Sequence, residues 1–191
     1  QNMALAYLML TEKPKVLTAC LEQYEACDNM TERLAALAVL VNSPFDAEKA
    51  ATLANFAERY KDNPLVMDQW FSVQAASTLP GGLERVQALM QHPAFTLKNP
   101  NKVRALIGAF AGQNLINFHR ADGSGYRFLA DLIIQLNAFN PQIASRQLAP
   151  LTRWKKYAPA RQQMMRAELE RILASGELSS DVYEVVSKSL V

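Results

Sequence analysis

Two histidines are the residues of this chain that come closest to a metal-binding pattern. A catalytic zinc needs about three protein ligands, usually including two His one helical turn apart. His92 and His119 are 27 residues apart, and neither lies in an H-E-x-x-H sequence. We therefore predict no metal site in this chain and interpret both histidines as surface or capping residues.

Candidates for a nucleophile are equally weak. The chain has no G-x-S-x-G elbow, and Cys20 and Cys27 lack an obviously electropositive setting. On one helix the two thiols would be about 10 Å apart, so we expect free, core-packed cysteines in a reducing compartment. The segment DGSGY at 122–126 has the glycines of a phosphate loop but no following Lys, and we expect Ser124 to cap a helix. No catalytic residue is predicted.

Two polar features could contact a ligand. Gln142 and Arg146 are one helical turn apart and share a face, and Arg153 lies two turns further along. Arg104 stands beside small residues at 108, 109, 111 and 112, which favour close packing of that helix while Arg104 points elsewhere. Judged from residue types alone, such a charged face is more often simply solvated, so ligand binding remains an alternative.

Apolar spacing predicts the elements that carry these residues. Sets at i, i+3, i+4 and i+7 recur along the chain, and no strand alternation competes with them. The predicted helices cover roughly residues 3–10, 14–27, 31–41, 46–60, 64–77, 82–91, 100–112, 125–139, 141–156, 159–174 and 180–190.

Three Asn-Pro pairs mark helix starts, because Asn can cap free amides and Pro fits the first helical position. They begin at Asn63, Asn99 and Asn140, separated by 36 and 41 residues. This spacing predicts an all-α fold of stacked antiparallel helical hairpins forming a HEAT/armadillo-like superhelix, with an irregular bundle as the rival. Pro150 should kink or break the helix that contains it.

Composition limits the class of protein. The 191 residues are half hydrophobic, which suffices for a single helical domain over residues 1–191. We expect the formal charge of +2 to be evenly spread and predict neither a nucleic-acid nor a membrane partner. No apolar run approaches about 18 residues, so a cytoplasmic location is expected. The apolar stretch directly after Gln1 suggests a segment of a longer polypeptide.

Several long strings in one order give the chain a family resemblance. They are LVMDQWF at 65–71, FTLKNPNKVR at 95–104, IGAFAG at 107–112, FH at 118–119, DGSGY at 122–126, NPQ at 140–142 and ASR at 144–146. With them the chain resembles, over essentially its whole length, the C-terminal domain of the bacterial aminopeptidase N family of zinc metallopeptidases.

The resemblance implies a helical domain that follows a thermolysin-like catalytic domain and a small sandwich domain of the same polypeptide. The resemblance also implies that this domain closes over the zinc site, limits access to small peptides and takes no part in catalysis. The zinc-binding H-E-x-x-H and the G-x-M-E-N segment of the family are missing from this sequence. The family's C-terminal domain presents a Gln and two Arg to the enclosed substrate cavity, and these match Gln142, Arg104 and Arg146.

A free-standing helical-repeat adaptor is the alternative function. An adaptor should carry polar helices at both ends, whereas a domain of a larger enzyme should expose an apolar patch where its neighbour packs. The first helix is rich in Ala, Leu and Met, which favours the enzyme domain.

Overall fold

The computed structural model describes residues 2–191, and the regular elements in that range are helical. The first helices are α1 (Asn2–Met9), α2 (Pro14–Ala26), α3 (Met30–Val41), α4 (Asp46–Tyr60), α5 (Pro64–Ala75) and α6 (Gly82–Leu89). Then come α7 (Pro100–Val103), a π-helical segment (Arg104–Gly108), α8 (Ala109–Gln113), α9 (Leu115–Phe118) and α10 (Ser124–Asn137). The last are α11 (Pro141–Gln147), α12 (Ala149–Thr152), a 3₁₀ turn (Trp154–Lys156), α13 (Pro159–Leu173) and α14 (Ser180–Leu190).

Neighbouring helices pair and the pairs stack on one another. Helix α2 packs on α3, α4 on α5, α10 on α11 and α13 on α14. Contacts of α3 with α5 and of α10 with α13 join successive pairs. The predicted all-α fold of stacked helical hairpins is confirmed.

The three Asn-Pro pairs start helices as predicted. Asn63, Asn99 and Asn140 each accept a hydrogen bond from an amide two or three residues later, at 3.2, 2.9 and 3.4 Å. Each following Pro occupies the first turn, where the missing N–H is not needed. Local capping therefore fixes where α5, α7 and α11 begin.

Two long predicted helices are interrupted. Pro150 has the predicted effect, because α11 ends at Gln147 and a separate short helix starts at Ala149. The predicted helix over 100–112 contains the π segment at Arg104–Gly108, which was not expected. Helix α9 was also missed, since four residues are too few for a periodic signal.

Aromatic and aliphatic side chains fill the interior between the stacked pairs. Phe71, Phe110 and Phe118 are fully buried, and the rings of Phe110 and Phe118 meet edge to face at 5.9 Å. From the π segment, Leu106 and Ile107 are fully buried in the same core. The core thus anchors the helix whose outer side carries Arg104.

None of the helices formed by residues 2–191 is long and apolar enough to cross a membrane.

Candidate functional site

Helix α11 is amphipathic, and its outer face carries two of the predicted site residues. Ile143 and Ala144 are buried where α11 packs on α10 and α14. Gln142 and Arg146, four residues apart, are exposed on the other side, as the sequence spacing predicted. Their side chains are therefore free to meet a ligand from outside this chain.

Arg104 is exposed at the start of the π segment. Its guanidinium is directed back along its own helix, where it donates to the Asn101 side chain at 2.6 Å. Among residues 2–191, no hydrogen bond joins Arg104 to Gln142 or Arg146. That Arg104, Gln142 and Arg146 line one substrate cavity therefore stays a prediction.

The π segment is a widened turn, a feature that is rare in proteins and frequent at functional sites. The Ser72 hydroxyl on α5 donates to the Ala105 carbonyl at 2.9 Å and so supplies a partner from outside the helix. Ala105 is buried one residue after the exposed Arg104. Packing and this bond therefore hold the helix turn that presents Arg104.

The small residues beside Arg104 divide into two groups. Ala109 and Ala111 are buried, in agreement with the expected close packing. Gly112 is exposed, and a Cβ atom added there would meet nothing within 4 Å. The expectation of tight packing is wrong for Gly112, which lies on the open side of the helix.

Gln147 joins α11 to the π segment and was missed by the sequence analysis. A Cβ added to Gly108 would lie 3.3 Å from the Gln147 amide oxygen and 3.9 Å from the Arg104 Cβ. Gln147 is three and four residues after Ala144 and Ile143, so it falls on the buried face of α11. A polar residue on an apolar stripe was the signal that could have identified it.

Charge is strongly uneven along the chain, so the expectation of an even spread is wrong. Residues 85–167 hold 12 Lys or Arg but 2 acidic residues, Asp122 and Asp131, whereas the rest of the chain holds 8 Lys or Arg and 16 Asp or Glu. Arg104, Arg146 and Arg153 are exposed, and none of them forms an ion pair within residues 2–191. The region that carries the predicted site is therefore cationic.

The two histidines are held by the fold. His92 Nδ1 accepts from the Ala94 amide at 3.1 Å within the turn that follows α6, and burial lowers its pKa. His119 is half-buried rather than superficial. Its Nδ1 lies 2.7 Å from the Tyr126 hydroxyl, and its carbonyl accepts from the Arg161 guanidinium at 3.2 Å. Burial first, and then the charge of Arg161, lowers the pKa of His119.

The two cysteines are free thiols with different surroundings. Cys20 is fully buried, and burial raises the pKa of its thiol to about 11, so the prediction of a core cysteine is confirmed for this residue. Cys27 is half-buried and its thiol donates to the Tyr24 carbonyl at 3.4 Å. A thiol is nucleophilic as the thiolate, so Cys20 is unsuited to that role.

The start of α10 is capped by a carboxylate. Asp122 accepts from the Ser124 amide at 3.0 Å and from the Ser124 hydroxyl at 2.6 Å. The expectation that Ser124 itself caps the helix is wrong, because Gly123 precedes the helix with φ of 69° and Ser124 is the first helical residue. The carboxylate occupies the position that a bound phosphate would need.

Metal ligands do not converge in the part of the chain that the structure describes. Residues 2–191 contain no group of three His, Cys, Asp or Glu side chains placed to hold one ion. The residues present therefore do not fit a catalytic zinc.

The chain also matches known protein families and sequences. Residues 1–191 match the family described as "Domain of unknown function (DUF3458_C) ARM repeats", in agreement with the predicted armadillo-like superhelix. The chain is 42% identical to "Aminopeptidase N" of Escherichia coli (strain K12) over 190 residues, which are 100% of this chain and 22% of that protein. It is 40% identical to "Aminopeptidase N" of Haemophilus influenzae (strain ATCC 51907 / DSM 11121 / KW20 / Rd), again over 190 residues and 22% of that protein.

A solved structure shows the same fold. The chain superimposes with a TM-score of 0.92 on a structure titled "Crystal structure of Legionella pneumophila aminopeptidase A in complex with aspartic acid". The sequences are 36% identical, and the match covers 99% of this chain and 22% of that chain. The chain thus spans about a fifth of the length of the proteins that it matches.

Proposed function

The chain belongs to the DUF3458_C family of ARM-repeat domains, and from this membership we propose that it is the non-catalytic helical domain of a zinc aminopeptidase. The observation that carries the proposal is identity of 40–42% over 190 residues to proteins named aminopeptidase N. These relatives confirm the resemblance that the sequence strings indicated. Residues 1–191 would form one domain of a polypeptide that removes amino-terminal residues from peptides.

Catalysis in this proposal depends on residues outside the chain. The E. coli relative is about four and a half times as long as this chain, which leaves room for catalytic and sandwich domains in the same polypeptide. Zinc would be held there and would activate water for attack on the first peptide bond. The free thiols of Cys20 and Cys27 support a reducing, cytoplasmic location.

The contribution of this chain would be to cover the active site and line the substrate cavity. Arg104, Gln142 and Arg146 are exposed in the cationic region and carry donors suited to carboxylates and carbonyls. A helical wall at that position would exclude bulk water and limit entry to small peptides.

The apolar surface at the start of the chain supports packing against another domain. Met3 and Leu10 on and after α1 are 75% and 77% exposed, with Tyr7 and Leu8 exposed between them. Beside this helix lies a groove of about 700 Å³, lined mainly by apolar residues of α1 and α3. An adaptor that stands alone should carry a polar cap at this end, so the surface favours the enzyme domain.

A first test separates the domain from an enzyme in its own right. The isolated chain, supplied with zinc and an alanyl anilide, should show no turnover, because no ligand set in residues 2–191 fits the ion. Adding the separately produced remainder of the polypeptide should restore hydrolysis. Turnover by the isolated chain after removal of host peptidases would contradict the proposal.

A second test addresses the cavity. In the full-length polypeptide, Arg146→Ala should raise the KM for a tripeptide about tenfold, because a charge-assisted hydrogen bond to the peptide is lost. The KM for the alanyl anilide should not change, since the anilide has no carboxylate to bind. Lys61→Ala, which removes an exposed cation of α4's C-terminal end, is the matched control. An equal effect of Arg146→Ala on both substrates would exclude a contact with the peptide.

A further inference from the structure

Gln147 is buried next to the proposed cavity face, and within residues 2–191 its side chain has no hydrogen-bond partner. The residue is 7% exposed, and no hydrogen bond within residues 2–191 engages its amide. Among the described residues, Arg85 Nε is the side-chain polar atom that is both fully enclosed and unpartnered. The Gln147 amide therefore keeps a narrow opening to the surface. Packing rather than a hydrogen bond within residues 2–191 therefore positions this amide, which leaves both of its polar atoms available to a ligand that reaches the opening.

The opening lies against the π segment. The Gln147 amide oxygen approaches the position that a Cβ of Gly108 would occupy to 3.3 Å, and the amide nitrogen approaches it to 3.7 Å. The Cβ of Arg104 is 3.9 Å from the same position. One turn beyond Gly108, Gly112 also carries no side chain and faces open space. Arg104 and Gln147 thus border the surface at Gly108, which we call the shelf, and Gly112 continues it along the same helix face.

Positive charge borders this shelf. Arg104 lies on one side, and Arg146, the residue before Gln147, is exposed on α11. Neither guanidinium contacts a carboxylate within the described part of the chain. The two acidic residues of the 85–167 region are engaged elsewhere, Asp122 by Arg120 and Asp131 by Arg171. The acidic side chains of residues 85–167 are thus paired with arginines other than Arg104 and Arg146.

We propose that Gln147 binds the last peptide group of a short peptide whose terminal carboxylate lies between Arg104 and Arg146. A primary amide can donate to a peptide carbonyl and accept from a peptide N–H, which are the two groups adjacent to that carboxylate. Gly108 leaves the space that the Gln147 amide needs to reach the shelf. The inference rests on the proposed aminopeptidase domain and adds a specificity residue that the family strings do not contain.

The test uses the full-length polypeptide and three substrates: a tripeptide, the same tripeptide with an amidated carboxyl terminus, and an alanyl anilide. Gln147→Leu keeps most of the side-chain volume and removes both hydrogen-bonding groups. It should raise the KM for the free tripeptide about threefold to tenfold, the effect of a neutral hydrogen bond or two. The KM for the anilide and the kcat for all substrates should stay unchanged.

Two further variants keep the test decisive if Gln147→Leu folds poorly. Gln147→Glu has nearly the same shape but places a carboxylate on the shelf, so it should raise the KM for the free tripeptide more than for the amidated one. Gly108→Ala should shift the Gln147 amide and raise the KM in the same direction. Gln163→Leu, at an exposed position of α13, is the matched control and should leave every KM unchanged.

The outcomes separate this inference from the proposed function. A raised tripeptide KM in Arg146→Ala with an unchanged KM in both Gln147 variants would overturn the role of Gln147 alone. An equal rise for the tripeptide and the anilide in Gln147→Leu would also overturn it, because the amide would then support the structure rather than the peptide. Unchanged KM values in Arg146→Ala would instead contradict the proposed cavity.

Discussion

Lys102 is a charged residue in the interior of the domain. Its side chain is 6% exposed and that of Asp68 is 14% exposed, with 2.7 Å between Nζ and the carboxylate oxygen. Nζ also donates to the Pro64 carbonyl at 2.9 Å and lies 5.7 Å from the Phe71 ring centroid. Helix α7 is thereby tied to α5, and the turn that leads to Arg104 is fixed from its start.

Removing one partner of this pair should be costly. Lys102→Ala leaves the Asp68 carboxylate buried and unpaired, so we expect a loss of about 3–5 kcal/mol in the free energy of unfolding, measured by urea denaturation. The double variant Lys102→Met with Asp68→Leu should recover most of that loss, since no buried charge then remains. Lys61→Ala breaks an exposed pair with Glu58 and should have no measurable effect. A similar loss in both single variants would contradict this account.

Single residues were predictable where their role is local. The Asn caps at 63, 99 and 140 follow from the chemistry of an exposed amide beside Pro, which depends on a few neighbouring residues. The buried Lys102 and the unpartnered Gln147 were not predicted, because both depend on helices that are distant in sequence. Each is a polar residue on a helix face that becomes buried when the helices pack together.

Two glycines, one in α8 and one in α10, have opposite steric requirements. Gly125 lies in the first turn of α10, where the Phe118 carbonyl oxygen of α9 comes so close that an added Cβ would collide with it. Gly112 in α8 faces open space. The first glycine permits a close helix contact, and the second leaves the shelf uncovered.

Alanine substitution should therefore have opposite signs at these positions. Gly125→Ala must displace backbone and should destabilise the chain by about 1–3 kcal/mol, as overpacking does. Gly112→Ala should stabilise it by about 0.5–1 kcal/mol, because alanine loses less conformational freedom in a helix. Thermal unfolding of the two variants beside the parent chain measures both effects. Destabilisation by Gly112→Ala would show that the open space is not available.

Helix existence was predictable from apolar periodicity, but helix continuity was predictable only where a residue enforces a break. Pro150, in the first turn of α12, separates this helix from α11 because its ring removes an amide donor. No residue in Arg104–Gly108 enforces a π turn, which instead accompanies burial of Ala105, Leu106 and Ile107 and the bond from Ser72. Tertiary packing set that geometry, so the local sequence carried no signal for it.

Charge is distributed unevenly along the chain, and the overall composition does not show this. A formal charge of +2 arises from a cationic region at 85–167 between two acidic parts of the chain. If this region faces the peptide cavity, its field attracts the carboxylate end of a substrate before contact. Net charge alone could not reveal this, because opposite excesses cancel in the sum.

Salt should weaken that attraction selectively. Raising NaCl from about 20 mM to about 0.5 M shortens the screening length to a few ångström, so long-range steering by exposed cations is lost. In the full-length polypeptide, kcat/KM for a free tripeptide should fall severalfold more than for its amidated counterpart. Equal falls for the two substrates would show that the cationic region does not act on the peptide carboxylate.

The buried thiol of Cys20 can report the transient separation of α2 from α3. This sulfur is fully enclosed and donates to the Ala36 carbonyl, so an alkylating reagent reaches it after these helices separate. Half-buried Cys27, seven residues later, provides an internal reference within the same molecule. The ratio of the two labelling rates would follow the population of transiently opened molecules, and would show whether the proposed docking of another domain against α1 lowers that population.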